Sequence, residues 1–346
     1  MSLLLEPDAA IDSTPPHALL DRFGRRIRYL RISVTDRCDL RCVYCMAEDM
    51  QFVPRERLLS LEEIVRIGRA FIAMGVEKIR ITGGEPLSRR NVLQVFRALG
   101  AVEGLRELTL TTNATRLPEY APGLYAAGVR RINVSLDTLR PDRYARLTRV
   151  GRIERVFAGL QAAEDAGIER IKLNAVILKH RNDDEVVDLV EYAHAHGYDI
   201  SFIEEMPLGQ VGDHDRAEAY YSSDAILGDL RRRYDLRPIT VRGAAAGPAN
   251  YFQVPGEHTR VGFISPHSHN FCAACNRVRL TAEGRLLLCL GQEHSKDLRA
   301  VVRDHPGDDA ALRQAILESM DLKPKGHAFD LGAPVTLARH MSHTGG

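Results

Sequence analysis

The sequence predicts an α/β protein in which a partial (β/α)6 barrel of the TIM type is followed by a smaller α+β module. Three observations lead to this fold class. Strand-like and helical segments alternate from about residue 28 to 206. The alternation provides six strands, which is fewer than the eight of a complete barrel. After Met206 the rhythm stops and polar, loop-rich segments follow. Ligands in such folds bind at the carboxyl ends of the strands, so we expect the site residues there.

The six barrel strands are short apolar runs rich in β-branched side chains. In chain order they read IRYLRISV, EKIRIT, RELTLTT, RRINVSL, ERIKLNAVIL and YDISFIEE. Amphipathic segments separate them, and the first of these is SLEEIVRIGRAFIAMG. In this segment Ser60 and Glu63 form a capping-box pattern, and Gly75 follows the last turn. These signals predict a helix between the first two strands.

The change of pattern sets the expected domain boundaries. We place the barrel in residues 24–207 and the second module in residues 208–346, and we expect residues 1–23 to be a disordered N-terminus. In the second module, SSDAILGDLRRRY predicts a helix, and NYFQV and RVGFIS predict strands after the flexible GAAAGPA. The polar stretch 209–221 is either a lid or a connection.

Composition excludes several classes of function. The 346 residues contain 45% apolar side chains, enough for a substantial core. Lysine and arginine number 47 against 46 acidic residues, so the net charge of +1 does not predict a nucleic-acid-binding or membrane-coating surface. No apolar run reaches the ~18 residues of a membrane span, and the N-terminus lacks the basic start of a signal peptide. We therefore expect a cytoplasmic protein.

The six cysteines form two groups of three. The first group lies in TDRCDLRCVYCMAED and the second in FCAACNRVRLTAEGRLLLCLG; the members are Cys38, Cys42 and Cys45, and Cys272, Cys275 and Cys289. In a reducing compartment such groups hold metal more often than they form disulfides. Three thiolates leave one coordination position of the metal site open. On zinc a distant histidine would fill it, whereas on a four-iron cluster one iron would lack a protein ligand.

The second group lies on a predicted β-hairpin. TAEG predicts a turn between the strands NRVRL and RLLLC. A hairpin centred on this turn places Cys289 across from Asn276 and beside Cys275, so that the three thiols meet. Zinc remains an alternative, with one of three histidines as the fourth ligand: His267, His269 or His294.

The surroundings of the first group resemble the radical S-adenosylmethionine (SAM) enzymes. The CxxxCxxC loop follows the first strand, Tyr44 precedes the last cysteine, and RITGGEPL ends the second strand. The resemblance implies that SAM chelates the free iron, and that the reduced cluster cleaves SAM to a 5'-deoxyadenosyl radical. It also implies SAM contacts, although each residue alone would more often be a turn, a packing residue or a cap: Tyr44, Gly84, Ser135 and Met206.

Both cysteine groups together narrow the resemblance to the GTP 3',8-cyclase (MoaA) family of molybdenum cofactor biosynthesis, from about residue 24 to the end. CDLRCVYC, IRITGGEPL, LTTNA, INVSLD, FIEEM, and CNRVRL followed by LCL fall in family order. The resemblance implies two 4Fe-4S clusters and SAM as cofactors, with GTP as substrate. The ribose C3' radical would attack guanine C8 and give (8S)-3',8-cyclo-7,8-dihydroguanosine 5'-triphosphate. The second cluster would orient the base.

The same resemblance implies further partners and a functional tail. A cyclic pyranopterin monophosphate synthase would take the product, and an electron donor, which no motif identifies, would reduce the clusters. The Gly345–Gly346 tail would reach toward the active site, although Thr344 stands where an apolar residue is expected. An exposed sheet edge on a partial barrel could also support a homodimer.

A triphosphate requires several converging cations, and arginine suits phosphate because its fork donates paired hydrogen bonds. Arg31, Arg80 and Lys172 stand within apolar strands, where an unpaired cation is costly to bury. Arg277 and Arg279 are two apart on one strand and should share a face. By resemblance these five residues and Thr111 contact GTP. The alternatives are a radical SAM peptide-modifying enzyme with an auxiliary cluster, or a non-catalytic zinc protein.

Overall fold

The computed structural model describes residues 18–211, 214–240, 247–330 and 339–345. Within these residues twelve strands form a single sheet, in the order β12-β11-β10-β1-β2-β3-β4-β5-β6-β9-β8-β7. The strands are β1 (Tyr29–Ser33), β2 (Lys78–Thr82), β3 (Glu107–Thr112), β4 (Arg131–Ser135), β5 (Arg170–Val176), β6 (Asp199–Ile203), β7 (Arg237–Ile239), β8 (Asn250–Gln253), β9 (Arg260–Ile264), β10 (Arg277–Leu280), β11 (Arg285–Leu287) and β12 (Ser295–Asp297).

Helices lie between and after the strands. They are α1 (Leu61–Ala73), α2 (Leu93–Gly100), α3 (Leu117–Ala126), α4 (Pro141–Thr148), α5 (Ile153–Asp165), α6 (Val186–Ala195), α7 (Arg216–Ala219), α8 (Ser223–Arg231), α9 (Leu298–Asp304), α10 (Asp309–Met320) and α11 (Met341–Thr344). No helix among the described residues is both long enough and apolar enough to cross a membrane.

The six barrel strands are confirmed, and each lies within its predicted run. Neighbouring strands from β1 to β6 pair in parallel. The helix predicted after β1 is also confirmed, because the Ser60 hydroxyl accepts from the Glu63 amide while the Glu63 carboxylate accepts from the Ser60 amide. Such a cap stabilises a helix by about 1 kcal/mol. The outward side chains of the strands and the inner face of α1 merge into one core.

The sheet stays open in the described part of the chain, but its edges are not those of the first and sixth barrel strands. Strand β9 pairs in parallel with β6, and β10 pairs in parallel with β1. The C-terminal segment thus adds three strands to each side of the six-stranded sheet, and β7 and β12 become the edges. Strands β1 and β6 are therefore not the edges, because unpaired backbone groups there would be costly and the later strands satisfy them.

The N-terminal boundary also needs correction. Residues 18–23 are folded, since Leu19 is fully buried and its carbonyl accepts from the Ile27 amide. The Asp21 carboxylate accepts from the Phe23 and Arg25 amides and closes a tight turn. The sequence did not predict this turn, because its order depends on contacts with the rest of the fold. Residues 1–17 lie outside the described residues.

The hairpin of β10 and β11 is present, but its register differs from the prediction by one residue. Arg279 pairs with Leu287. Continuing this register places Cys289 opposite Arg277 rather than Asn276. The cause is the turn, in which the Gly284 amide bonds to the Thr281 carbonyl, and the Thr281 amide bonds to the Arg285 carbonyl. Gly284 has φ +83°, so the loop contains three residues instead of four.

The polar stretch 209–221 is only partly described, because residues 212 and 213 lie outside the described residues. In the remainder, His214 and Arg216 both bond to the buried carboxylate of Glu205. Tyr220 forms an isolated bridge with Leu178. The described part of this stretch is therefore attached to the barrel.

Candidate active site

A cavity of about 1270 Å³ opens at the barrel mouth. It exceeds the roughly 300–1,000 Å³ of an ordinary single-ligand site. Its walls contain both cysteine groups and every residue expected to contact SAM or GTP. The fold therefore brings the predicted site residues, which are far apart in the chain, to the wall of one cavity. The role of each residue stays a prediction.

The first cysteine group lies on the loop that follows β1. Backbone bonds from Arg41 to Thr148 and from Val43 to Leu147 attach this loop to the end of α4. The Cys38 sulfur accepts from the Leu40 amide at 3.4 Å. Burial raises the pKa of the Cys45 thiol to about 12 and raises the pKa of Cys42 as well. Ionisation of these thiols therefore requires a bound cation to compensate the charge.

The GGE segment after β2 packs directly against the cysteine loop. The Gly84 amide donates to the Thr35 carbonyl, and the Glu85 amide donates to the Arg37 carbonyl, each at 2.8 Å. A Cβ at Gly84 would lie 2.4 Å from the Arg37 carbonyl oxygen. The glycine is therefore needed for packing as well as for any approach of SAM. Burial raises the pKa of Glu85 to about 7, while its carboxylate accepts from the Asn113 amide.

The other residues expected to contact SAM lie on the same side of the cavity. The Tyr44 hydroxyl donates to Asp137 at 2.7 Å, and Asp137 also accepts from the Val176 amide. Burial raises the pKa of Asp137 to about 6. Ser135 ends β4, and Met206 follows β6, so both line the cavity at carboxyl ends of strands.

The inner face of the sheet carries two rows of basic and polar side chains. In the first row Arg279 of β10 pairs with Arg31 of β1, which pairs with Arg80 of β2. In the second row Arg277, Tyr29 and Lys78 occupy the same three strands. Alternate residues of a strand share a face, so both rows point into the cavity. Across β3, β4 and β5, Thr111, Asn133 and Lys172 continue this face.

Several of these cations are poorly neutralised. Arg80 donates to the Tyr29 hydroxyl and to Thr111, and Lys172 donates to the hydroxyls of Ser201 and Tyr251. Neither forms an ion pair within 4 Å in the described part of the chain. Nε and Nη1 of Arg279 have no hydrogen-bond partner among the described residues. The inner face of the sheet therefore carries positive charge that a bound anion could neutralise.

The pKa shifts report the same excess of positive charge. Burial lowers the pKa of Lys172 well below its ordinary value, and the nearby Arg131 and Arg80 lower it further. Burial alone would raise the pKa of Tyr29, but the positive charges around it outweigh burial and lower the pKa to about 6. A polyanion bound here would relieve repulsion among these cations.

The second cysteine group lies on the hairpin and the turn before it, next to Arg277 of the basic rows. The Cys275 amide donates to the Cys272 carbonyl, which also accepts from Arg25 at 2.8 Å. Burial would raise the pKa of Cys275, but the adjacent ammonium of Lys323 and the guanidinium of Arg277 lower it to about 7. Burial raises the pKa of Cys289.

The histidines proposed as zinc ligands do not complete this group. His267 Nε2 lies 2.9 Å from the Glu205 carbonyl, and His269 Nε2 lies 2.8 Å from Asp224. His294 is not part of the cavity wall. Across the described ranges, no three His, Cys, Asp or Glu side chains are placed to hold a single metal ion. A cubane differs from a single ion because each of its irons takes a separate thiolate.

The C-terminal tail reaches the first cysteine group. Met341 and Ser342 line the cavity, and the Ser342 backbone bonds to the Cys45 sulfur. Gly345 packs so closely on Thr82 that a Cβ would lie 2.2 Å from the Thr82 methyl carbon. Thr344 is fully buried, and its hydroxyl donates to the Met341 carbonyl. The buried hydroxyl of Thr344 therefore has a hydrogen-bond partner within its own helix. Gly346 lies outside the described residues.

Comparison with known proteins agrees with the two halves of this site. The radical SAM superfamily model matches residues 32–193, and the molybdenum cofactor synthesis C-terminal model matches residues 198–329. The GTP 3',8-cyclase of Marinobacter nauticus is 54% identical over 332 residues, which are 96% of this chain and 100% of the relative. That of Pseudomonas entomophila is 55% identical over 332 residues, covering 96% and 99%. The chain belongs to the GTP 3',8-cyclase family.

A solved structure supports the fold. SuiB of Streptococcus suis, crystallised with S-adenosylmethionine, superposes with a TM-score of 0.55 at 18% identity. The match covers 81% of this chain and 66% of SuiB. At this identity the likeness shows the fold alone. GTP 3',8-cyclases carry two 4Fe-4S clusters and use SAM, as the resemblance implied, and the two cysteine triads fit that requirement.

Sequence reasoning missed two cations in this member of the GTP 3',8-cyclase family. Lys78 is buried in the second basic row, where it bonds to Glu107 at 2.7 Å. Its position two residues before Arg80 was a usable signal, since both must share a face. Lys323 is fully buried beside Cys275. Nothing in SMDLKPKG distinguishes this lysine from a surface one, so only the tertiary fold reveals it.

Proposed function

We propose that this protein is a radical SAM GTP 3',8-cyclase, which converts GTP to (8S)-3',8-cyclo-7,8-dihydroguanosine 5'-triphosphate in the first step of molybdenum cofactor biosynthesis. The observation that carries the proposal is that both cysteine triads and the basic rows line one cavity. Family membership supports the same reaction.

The first triad would hold the cluster that binds SAM. Its three cysteines have high thiol pKa values, which fit ligation by iron because the metal supplies the missing positive charge. A reduced cluster held there would supply the electron needed to cleave SAM. The neighbouring protein groups would orient SAM from the carboxyl ends of β2, β4 and β6: Tyr44, Gly84, Ser135 and Met206.

The basic rows would bind and orient GTP. Arg277 and Arg279 would donate paired hydrogen bonds to phosphate oxygens, and Arg31, Arg80 and Lys172 would supply charge from the neighbouring strands. Thr111, which already accepts from Arg80, would complete the polar floor. Hydrogen bonds to charged groups contribute about 1.5–3 kcal/mol each. The second triad would hold a cluster beside the base, and the enclosed cavity would exclude water.

We also propose the remaining partners and the domain boundaries. The protein would act in the cytoplasm and take electrons from a donor whose identity no motif gives. A cyclic pyranopterin monophosphate synthase would consume the product. The barrel would comprise residues 24–207 and the second module residues 208–346. A homodimer, if formed, would have to use a surface other than the edges of β1 and β6, since both are paired.

The test begins with anaerobic reconstitution. Analysis should find about eight atoms each of iron and sulfide per chain, as two cubanes require. The protein should then form the cyclised nucleotide from GTP and SAM under reducing conditions, detected by mass spectrometry. Zinc without sulfide would refute the proposal, and a modified peptide without a nucleotide product would support the peptide-modifying alternative.

Two variants separate the GTP site from the SAM site. Arg277→Ala and Arg279→Ala should abolish or strongly reduce the cyclised product while SAM binding persists, because these side chains lie in the basic rows and not beside the first triad. Arg285→Ala is the matched control, since Arg285 is exposed on the same hairpin and bonds to Ser295. Equal loss of GTP turnover and SAM binding in the first two variants would reject the assignment.

A further inference from the structure

Lys323 is a buried lysine that lies against the second cysteine group. It follows α10 and is only 1% exposed. Its Nζ donates to the Leu288 carbonyl at 2.6 Å, to the Arg277 carbonyl at 3.1 Å and to the Cys275 sulfur at 3.6 Å. Among the described residues it forms no ion pair with a carboxylate. The sulfur is therefore its negative partner.

The three contacts around Nζ match the hydrogen-bonding capacity of the charged side chain. A lysine ammonium has three donors, whereas a neutral amine has two. Two carbonyls and one sulfur accept from Nζ, so the geometry uses all three donors of the charged form. Burial of that charge is costly unless a nearby anion compensates it. The nearest group able to supply that anion is the Cys275 sulfur, 3.6 Å from Nζ.

The two cysteine triads differ in the charged side chain that lies nearest to a cysteine sulfur. At the first triad the Asp39 carboxylate lies 3.8 Å from the Cys38 sulfur. At the second triad the Lys323 ammonium lies 3.6 Å from the Cys275 sulfur. Charge and hydrogen bonds at the sulfurs set the reduction potential of an iron-sulfur cluster. Equal clusters in these two places would therefore have different potentials.

We propose that Lys323 is a positioning residue for the second cluster: its buried ammonium holds Cys275 in place as a ligand and raises the reduction potential of that cluster above that of the first. The proposal rests on the proposed function, because it takes Cys272, Cys275 and Cys289 as the ligands of the second cluster. If an electron can move between the two clusters, the more positive potential favours its residence on the second cluster.

The test compares neutral and charged replacements in the full chain loaded with both clusters. Lys323→Gln keeps hydrogen-bond donors without the charge, Lys323→Met removes both, and Lys323→Arg keeps the charge. Lys325→Gln is the matched control, since Lys325 is an exposed lysine in the same loop. Iron and sulfide are counted, and each cluster is titrated potentiometrically with detection by electron paramagnetic resonance. Addition of SAM changes the signal of the first cluster and so assigns the two.

In the neutral variants the equilibrium constant for reduction of the second cluster should fall at least tenfold. For a one-electron couple this corresponds to a reduction potential lower by about 59 mV. The first cluster should keep its potential in every variant, and Lys325→Gln should match the native protein. An unchanged second potential in Lys323→Met, or an equal shift of both clusters, would overturn the proposal.

Loss of the cluster is also informative. If both neutral variants retain only about four irons per chain and Lys323→Arg retains about eight, the iron content itself shows that the second cluster needs the buried charge. If Lys323→Arg loses the second cluster as well, Lys323 is a packing element and the proposal fails. Failure of the ligand assignment is distinguishable, because Cys275→Ser would then keep the native iron content.

Discussion

The contact between Gly84 and the cysteine loop leads to a prediction about cluster loading. In Gly84→Ala the new Cβ would lie 2.4 Å from the Arg37 carbonyl oxygen and 2.7 Å from the Asp36 carbonyl oxygen. Carbon–oxygen contact needs roughly 1 Å more than this, and both neighbours are backbone, so the loop itself must move. The displacement would strain the bonds that Gly84 and Glu85 donate to that loop.

The cost follows from this geometry. Overpacking typically destabilises by about 1–3 kcal/mol, and we expect the upper end because no flexible side chain can give way. Cys38 directly follows the displaced residues. We therefore expect Gly84→Ala to lower the unfolding free energy of the cluster-free protein by about 3 kcal/mol and to load only the second cluster, giving about four irons per chain.

The assay pairs denaturant unfolding of the cluster-free protein with iron and sulfide analysis after reconstitution. Gly228→Ala is the control, since it makes the same substitution in the exposed interior of α8, where nothing lies within 4 Å of the new Cβ. That variant should gain up to about 1 kcal/mol from helix propensity and load both clusters. Native iron content and stability in Gly84→Ala would refute the packing argument.

Two further predictions concern the basic face. Lys172→Met should raise the thermal stability of the cluster-free protein in phosphate-free buffer, because it removes a buried cation repelled by Arg131 and Arg80. The same substitution should weaken GTP binding at least tenfold, and calorimetry can measure both effects. A loss of stability with unchanged GTP binding would contradict the charge argument. Tyr29 has a pKa of about 6 when folded and of about 10 when unfolded. The folded state therefore binds fewer protons between these values, so this contribution to stability grows from pH 6 toward pH 10 and is lost as pH falls through 6. Tyr29→Phe should flatten the rise of unfolding free energy with pH, measured by urea titration from pH 6 to 9, and an unaltered slope would show that the Tyr29 phenol does not titrate there.

The parts of the fold that sequence predicted well are those encoded locally. Each barrel strand is a short apolar run bounded by polar or glycine residues, and α1 carries its own cap at Ser60. The cysteine spacing and the adjacent glycines marked the first triad in the same way. Local patterns sufficed here because the propensity of each segment agrees with its tertiary environment.

The parts that sequence missed depend on distant pairing. The parallel pairing of β9 with β6 and of β10 with β1 joins segments far apart in the chain, and no local pattern specifies which edge each strand chooses. The one-residue shift at Gly284 followed from a turn geometry that the letters TAEG do not fix uniquely. Lys323 was invisible because its burial arises only when α10 packs beside the hairpin.

The strands that flank the barrel on both sides also have a consequence for synthesis. Ribosomes add roughly 5–20 residues per second, so β1 emerges on the order of tens of seconds before its neighbour β10. During that interval the nascent sheet has two bare rims capable of joining other chains. Nascent polypeptides stalled before residue 260 should therefore associate with chaperones or precipitate, and iron insertion at the second triad must wait until Cys289 has been synthesised.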